Sequence, residues 1–176
     1  MDEGKTYAFF QWASRLPEGA QPRFIMKADQ DTFLILPNVL ASFSELSCSE
    51  LVYWGTWWGS CMHCYPLYMR GLAYALSWPL VAWLGSASLS GISTKGIEDI
   101  RTAGWFASLP DGAPVKVVDM KTRMGDWYGG TIPHDVHTVA LHAMKNTEFW
   151  IEVAQEMVGI WKTAGWEYTW PPSTEE

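Results

Sequence analysis

Phe24-Ile25-Met26-Lys27-Ala28-Asp29-Gln30-Asp31-Thr32-Phe33 is the stretch on which the fold turns. An apolar run, read as a strand over Arg23 to Ala28, ends there in two carboxylates two positions apart. In an extended segment residues i and i+2 point to the same side, so Asp29 and Asp31 converge on one small target. Two like charges that close call for a cation between them. Hard carboxylate oxygens suit Mg²⁺, Mn²⁺ or Ca²⁺. The expectation is a metal held at the C-terminal edge of a sheet. The plainer reading is a polar turn after a strand, where aspartate is common.

Composition narrows the classes. A chain of 176 residues fits one domain with a proper core, or a piece of a larger one. With 48% apolar and 18% charged residues it is globular, not disordered. A net charge of −7 argues against nucleic acid as a partner, because phosphate backbones need a basic surface. The 12 tryptophans offer faces that stack on sugar rings, and they also fill cores. Met1-Asp2-Glu3-Gly4-Lys5 lacks the basic start and apolar run of a signal peptide. The most apolar segment, Leu72 to Leu84, is broken by Ser77 and Pro79 and is shorter than the ~20 residues a membrane span needs. Cys61-Met62-His63-Cys64 is a lone CxxC with no second pair to complete a zinc site. With Cys48 it leaves open a redox dithiol, a local disulfide or buried structural thiols.

Along the chain, helix and strand patterns alternate. Thr6 to Arg15 reads as a helix stopped by Leu16-Pro17-Glu18-Gly19. A second helix runs from about Pro37 to Leu46, with Val39, Leu40 and Phe43 on its buried face. Leu51 to Trp58 reads as a strand. Tyr65-Pro66-Leu67-Tyr68 is a turn-like connection, and Ala73 to Leu76 a short strand. Ser77 then caps a helix running to about Ala87, with Pro79 in its first turn. Glu98 and Asp99 open a further helix at its positive end, where dipole stabilisation alone would account for both acids. Val115 to Met120 reads as a strand, Lys121 to Pro133 as a Gly- and Trp-rich loop, and Val136 to Leu141 as the last strand, with His142 just past it. Thr147 to Lys162 is the clearest helix. Asn146 caps it, and Trp150, Ile151, Ala154, Met157, Val158 and Trp161 form its apolar stripe. Residues 1–170 form one unit and 171–176 a tail. The expected class is α/β.

Four groups carry chemistry, and their order is informative. Lys5-Thr6 and Trp12 precede the Asp29-Gln30-Asp31 stretch. Then follow Tyr65-Pro66-x-Tyr68-x-x-Gly71-x-x-Tyr74-x-Leu76-Ser77, the pair Glu98-Asp99, and Val139-Ala140-Leu141-His142 before a helix. In this order they resemble the β-1,3-galactosyltransferase-like family, the family 31 glycosyltransferases, from about Lys5 to Trp161. The resemblance implies a GT-A-like nucleotide-sugar transferase fold, Mn²⁺ (or Mg²⁺) as cofactor, and transfer of a hexose from a UDP-sugar with inversion. The sugar would be galactose or N-acetylglucosamine, and the acceptor a hydroxyl of a glycan, glycoprotein or glycolipid. Asp29 and Asp31 match the family's DxD, with His142 completing the metal shell. Asp99 matches the catalytic base, with Glu98 as its fallback. Lys27, Gln30, Tyr65, Pro66, Tyr68, Arg70 and Gly71 fall where donor and acceptor are bound. His134 and His137, flanking Asp135, have ligand-like spacing that the resemblance does not call for.

The chain departs from the family pattern at Gln30, which stands for the middle acid, and at Met69-Arg70, which replace small residues. Arg70 would contact phosphate or reshape the acceptor side. Only 28 residues precede Asp29. The expectation is therefore a catalytic domain lacking its N-terminal nucleotide-binding half, whose complete form sits in the Golgi membrane with a lumenal catalytic domain. A parallel sheet without its first strands would leave a long unpaired edge. The competing expectation is a non-catalytic truncated relative acting as a sugar-binding or interaction module. A phosphohydrolase of the haloacid-dehalogenase type ranks below both, because Thr32 comes one place early and Lys27-Ala28 separate the acids from the apolar run.

Overall fold

The computed structural model describes residues 4–58, 68–87, 89, 96–110 and 113–165. The elements run α1 (Lys5–Ala13), β1 (Phe24–Ala28), β2 (Thr32–Leu34), α2 (Leu36–Ser44), β3 (Leu51–Trp58) and β4 (Tyr68–Ser77). They continue with α3 (Trp78–Ser86), α4 (Glu98–Phe106), β5 (Val115–Asp119), β6 (Met124–Asp126), β7 (Ala140–His142) and α5 (Thr147–Thr163). The architecture is mixed α/β, built on two sheets.

The larger sheet has the order β1-β4-β3-β5. Its β1–β4 and β4–β3 pairs are antiparallel and only β3–β5 is parallel, so the expected parallel sheet is replaced by a mixed one. Alternation along its strands builds two cores. Ile25, Tyr53, Tyr74 and Leu76 face one side, against Phe10, Leu80, Leu84 and Trp105 from α1, α3 and α4. Met26, Val52, Trp54, Ala73 and Ala75 face the other, against Val39 of α2 and Met124, Val139 and Ala140. Trp54 lies directly across from Ala75, and the small partner leaves room for the indole. Trp54 and Trp105 are fully buried. At about 200 Å² each, their burial contributes on the order of 5 kcal/mol apiece before conformational entropy opposes it.

The smaller sheet, in the order β2-β7-β6, packs on α5 through Ile35, Leu141, Met144, Val153 and Met157. Its three-residue strands are too short to show a period, and β2 and β6 fall in stretches that read as a turn and a loop. β4 is ten residues long rather than the short strand expected at Ala73–Leu76, because its first half pairs with Trp57 and Trp58 of β3. Ser77 occupies the N-cap position of α3 without capping it. Its hydroxyl instead donates to the Glu50 carbonyl at 2.7 Å and accepts from the Val52 amide at 2.9 Å, closing the start of β3. Asn146 does cap α5, accepting from the Phe149 amide at 2.9 Å. The apolar stripe of α5 is rotated from the expected one. Val153 and Met157 are buried while Ile151 and Val158 stay exposed, since the helix turns Trp150, Val153, Met157 and Trp161 toward β7. Leu40 of α2 is likewise exposed, with Val39 taking the core position. No helix among the described residues is long and apolar enough to cross a membrane. The CxxC lies outside the described residues, as does the tail.

Helices α1 and α3 touch where Gly85 meets Ser14. A Cβ at Gly85 would lie 2.0 Å from Ser14 Oγ and 2.4 Å from Ser14 Cβ, so no rotamer of Ser14 relieves the contact. Gly85→Ala is expected to cost about 1–3 kcal/mol through overpacking. Thermal melting should fall by several degrees, and Ser14→Gly in the same chain should recover most of the loss, because both clashing atoms are then gone.

Candidate functional site

The two aspartates converge through a turn and not through an extended strand. Asp29 N still reaches back to the Leu72 carbonyl at 3.1 Å, continuing the β1–β4 ladder. Thr32 N then donates to the Asp29 carbonyl at 3.1 Å, closing a β-turn over Asp29-Gln30-Asp31-Thr32. This turn carries the chain from the larger sheet into the smaller one. Register supplies the third member: Thr32 pairs with His142, which sets the imidazole beside Asp31. His142 Nε2 lies 3.4 Å from Asp31 Oδ1 and 3.9 Å from Asp29 Oδ2. One ligand atom from each of the three residues falls within 4.8 Å of the others. Gln30, between the acids, is exposed.

After His142 the chain doubles back. Ala143 has φ 73°, a left-handed conformation that costs a non-glycine residue about 1–2 kcal/mol. The bend lets Met144 N donate to the Asp31 carbonyl at 3.0 Å, and it brings the Lys145 ammonium onto the Asp31 carboxylate. Burial alone would raise the Asp31 carboxyl. The hydrogen bond and charge of Lys145 outweigh it, with the His142 imidazole alongside, and hold the group below the ordinary carboxylate range.

On the β4 side, Gly71 faces the Asp29 carboxylate. A Cβ there would stand 3.2 Å from Asp29 Oδ2 and 3.3 Å from Lys27 Nζ, so a side chain would crowd the pair. The Lys27 ammonium is bound at 2.5 Å by Asp29, at 2.9 Å by the Gly71 carbonyl and at 3.0 Å by Glu98. Burial works against its charge, but the two carboxylates prevail and hold it above the ordinary lysine value. Lys27, expected as a substrate contact, bridges the two acidic groups and lines the second cleft.

Glu98 and Asp99, adjacent in sequence at the start of α4, are held differently. Glu98 accepts from the buried Tyr74 hydroxyl and from Thr102 as well as from Lys27. Burial, and then the Glu98 charge, push the Tyr74 phenol well above its usual range, so it stays a hydrogen-bond donor. Asp99 is fixed by two backbone amides, Gly71 N at 3.2 Å and Ile100 N at 2.9 Å, at the helix end where the dipole favours an anion.

Two clefts meet at Asp29, Gly71 and Asp99. One, of about 540 Å³, is lined by Trp58, Tyr68, Arg70, Lys121, Asp126 and His142 among others. The second, wider cleft runs past Lys5, Thr6, Lys27, Asp31, Glu98 and Lys145. Arg70, half-buried, crosses to Asp126 with Nη2 3.0 Å from both carboxylate oxygens, and its guanidinium lies 5.5 Å from the Trp58 ring centre. Asp126 in turn accepts from His142 Nδ1 at 2.7 Å. Tyr65 and Pro66 lie outside the described residues. His134 is spent on Glu156 at 2.8 Å, and neither it nor His137 joins the acidic cluster.

Asp126 and Lys145 did not emerge from the sequence. Asp126 sits in a Gly- and Trp-rich stretch that reads as loop, and only its pairing with β7 brings it to His142. Lys145 carries a weak signal, a cation three places after a candidate ligand. No protein-family model matches the chain, and no curated protein matches it significantly.

Proposed function

We propose that this chain is the catalytic part of a metal-dependent inverting hexosyltransferase. It would move galactose or N-acetylglucosamine from a UDP-sugar to a glycan hydroxyl within a GT-A-like fold, at the lumenal face of the Golgi membrane in the complete protein. The carrying observation is the separation of two acidic sets across Gly71. Asp29 and Asp31 face a histidine, while Asp99 stands apart on the shared wall of two clefts.

The donor set fits the expected ion. Two carboxylates and one imidazole offer hard oxygens and one borderline nitrogen, a combination that suits Mn²⁺ and accommodates Mg²⁺ less well. Held by Asp29, Asp31 and His142, the ion would supply positive charge that stabilises the negative charge left on UDP. Lys5, Lys27 and Lys145 line the second cleft alongside Asp29, Asp31, Glu98 and Asp99, so ammonium groups stand beside that position. Trp58 and Tyr68 offer aromatic faces in the first cleft for an acceptor sugar. Asp99 accepts the proton of the acceptor hydroxyl as its oxygen bonds to the anomeric carbon, and the carbon–oxygen bond to UDP breaks with its electron pair leaving on the phosphate.

The test is UDP binding with and without Mn²⁺, followed by turnover of UDP-galactose and UDP-N-acetylglucosamine. Mn²⁺-dependent UDP binding and transfer are expected. A protein that binds sugar but shows no metal-dependent UDP binding is the non-catalytic module instead.

A further inference from the structure

We infer that Asp126 and Arg70 are positioning residues for the cation site, holding His142 in the tautomer and orientation that turn its Nε2 toward Asp29 and Asp31. The inference rests on the metal reading above and assigns work to two residues that touch no ion.

The geometry is set by register. β6 runs parallel to β7, with Asp126 paired to His142, and Trp127 N donates to the His142 carbonyl at 3.1 Å. Nδ1 therefore meets Asp126 Oδ1 at 2.7 Å. An ionised carboxylate has no hydrogen to give, so Nδ1–H is the donor. The neutral ring then keeps its lone pair on Nε2, the atom that faces Asp29 and Asp31. The opposite tautomer would point a proton into the space between the two acids. A carboxylate behind a ligating imidazole also raises the basicity of the ring.

Arg70 keeps Asp126 in place. Its Nη2 binds both carboxylate oxygens at 3.0 Å, and Trp58 backs the guanidinium. Both side chains are about three-quarters covered, at 24% and 23% exposure, so the pair is less screened than a surface ion pair. The Arg70 charge is thus engaged in the wall of the first cleft. This gives the arginine a local partner at a position where a phosphate contact or a reshaped acceptor side was expected.

The test uses the whole chain with Mn²⁺ as the probe, read by calorimetry, thermal melting and ¹⁵N NMR of the His142 ring above the ordinary imidazole titration range. Asp126→Leu is expected to weaken Mn²⁺ binding about 10- to 100-fold. Without metal, it should also shift the ring from the Nδ1–H toward the Nε2–H form. Asp126→Asn, which keeps shape and one acceptor, should fall between and guards against a folding defect, while Asp126→Glu should restore most of the affinity. Arg70→Met should weaken Mn²⁺ binding in the native background and change it little once Asp126 is leucine, because the two act on one ligand. Native Mn²⁺ affinity together with an unshifted Nδ1–H ring in Asp126→Leu overturns the positioning role and leaves the metal reading intact. Absence of Mn²⁺ binding by the native protein overturns both.

Discussion

Asp31→Ala is expected to lower Mn²⁺-dependent transfer by about 10³-fold, with little change in melting temperature. An ion neutralising charge on a departing phosphate supplies several kcal/mol in the transition state, and about 4 kcal/mol corresponds to three decades of rate. Of the two acids facing His142 Nε2, Asp31 is the nearer, at 3.4 Å against 3.9 Å for Asp29, and its loss would leave only Asp29 and the imidazole to hold an ion. The fold should tolerate the change. The Asp31 backbone carbonyl, which accepts from Met144, is retained in alanine, and the Lys145 contact is to a side chain 67% exposed, where ion pairs are worth little. That exposure would make Lys145 the partner to give way to a divalent ion, whereas Lys27, anchored by three acceptors, would stay. The carboxyl of Asp31 is depressed in the folded chain. Its contribution to stability is therefore present above the unfolded value and lost as pH falls through the folded one, so Asp31 is already ionised at neutral pH and needs no deprotonation to bind the ion. The measurement is kcat/KM with and without Mn²⁺ beside a melting curve. Native rates in Asp31→Ala at saturating Mn²⁺ would sink the assignment.

How far the sequence carried can be judged from particular residues. Leu51–Trp58 was legible to the residue, because a run rich in aromatic and β-branched residues, interrupted only by Gly55, admits little but a buried strand. Asn146 announced the start of α5 for an equally local reason, a side chain that caps better than it propagates. What failed was whatever depends on a partner. Thr32–Leu34 and Met124–Asp126 are strands only because β7 lies between them. The buried face of α5 follows from what it packs against, and periodicity alone placed it about a fifth of a turn away. At the site, the sequence paired Asp29 with Asp31 for a reason the structure replaces: a turn, not an extended strand, brings them together. Asp126 and His142, 16 residues apart, meet with no local signal, which is why Asp126 was invisible while Asp29-Gln30-Asp31 stood out.

Asp99→Asn is the variant that separates chemistry from binding. General bases typically contribute 10²- to 10⁴-fold, so kcat should fall by about 10³ while Mn²⁺ and UDP affinities hold within a few-fold. The choice between the two adjacent acids follows from how each is occupied. Glu98 is drawn into a closed network with Tyr74, Thr102 and Lys27, which leaves it poorly placed to take a proton from a substrate. Its replacement by glutamine should lower melting temperature more than it lowers kcat, since Lys27 and the buried Tyr74 phenol use different carboxylate oxygens, and one of the two becomes an NH₂ donor. Asp99 is steadied by backbone amides, which fix its position without neutralising its charge, and it borders both clefts where donor and acceptor would meet. Asparagine keeps the shape and at least one of those amide bonds, so a collapse of UDP binding in Asp99→Asn would mean a structural role. Full activity there combined with a large kcat loss in Glu98→Gln would hand the proton to Glu98. The expected pattern, kcat lost at Asp99 and stability lost at Glu98, requires two neighbouring carboxylates to be held for opposite purposes, one by mobile protons and a lysine, the other by the backbone alone.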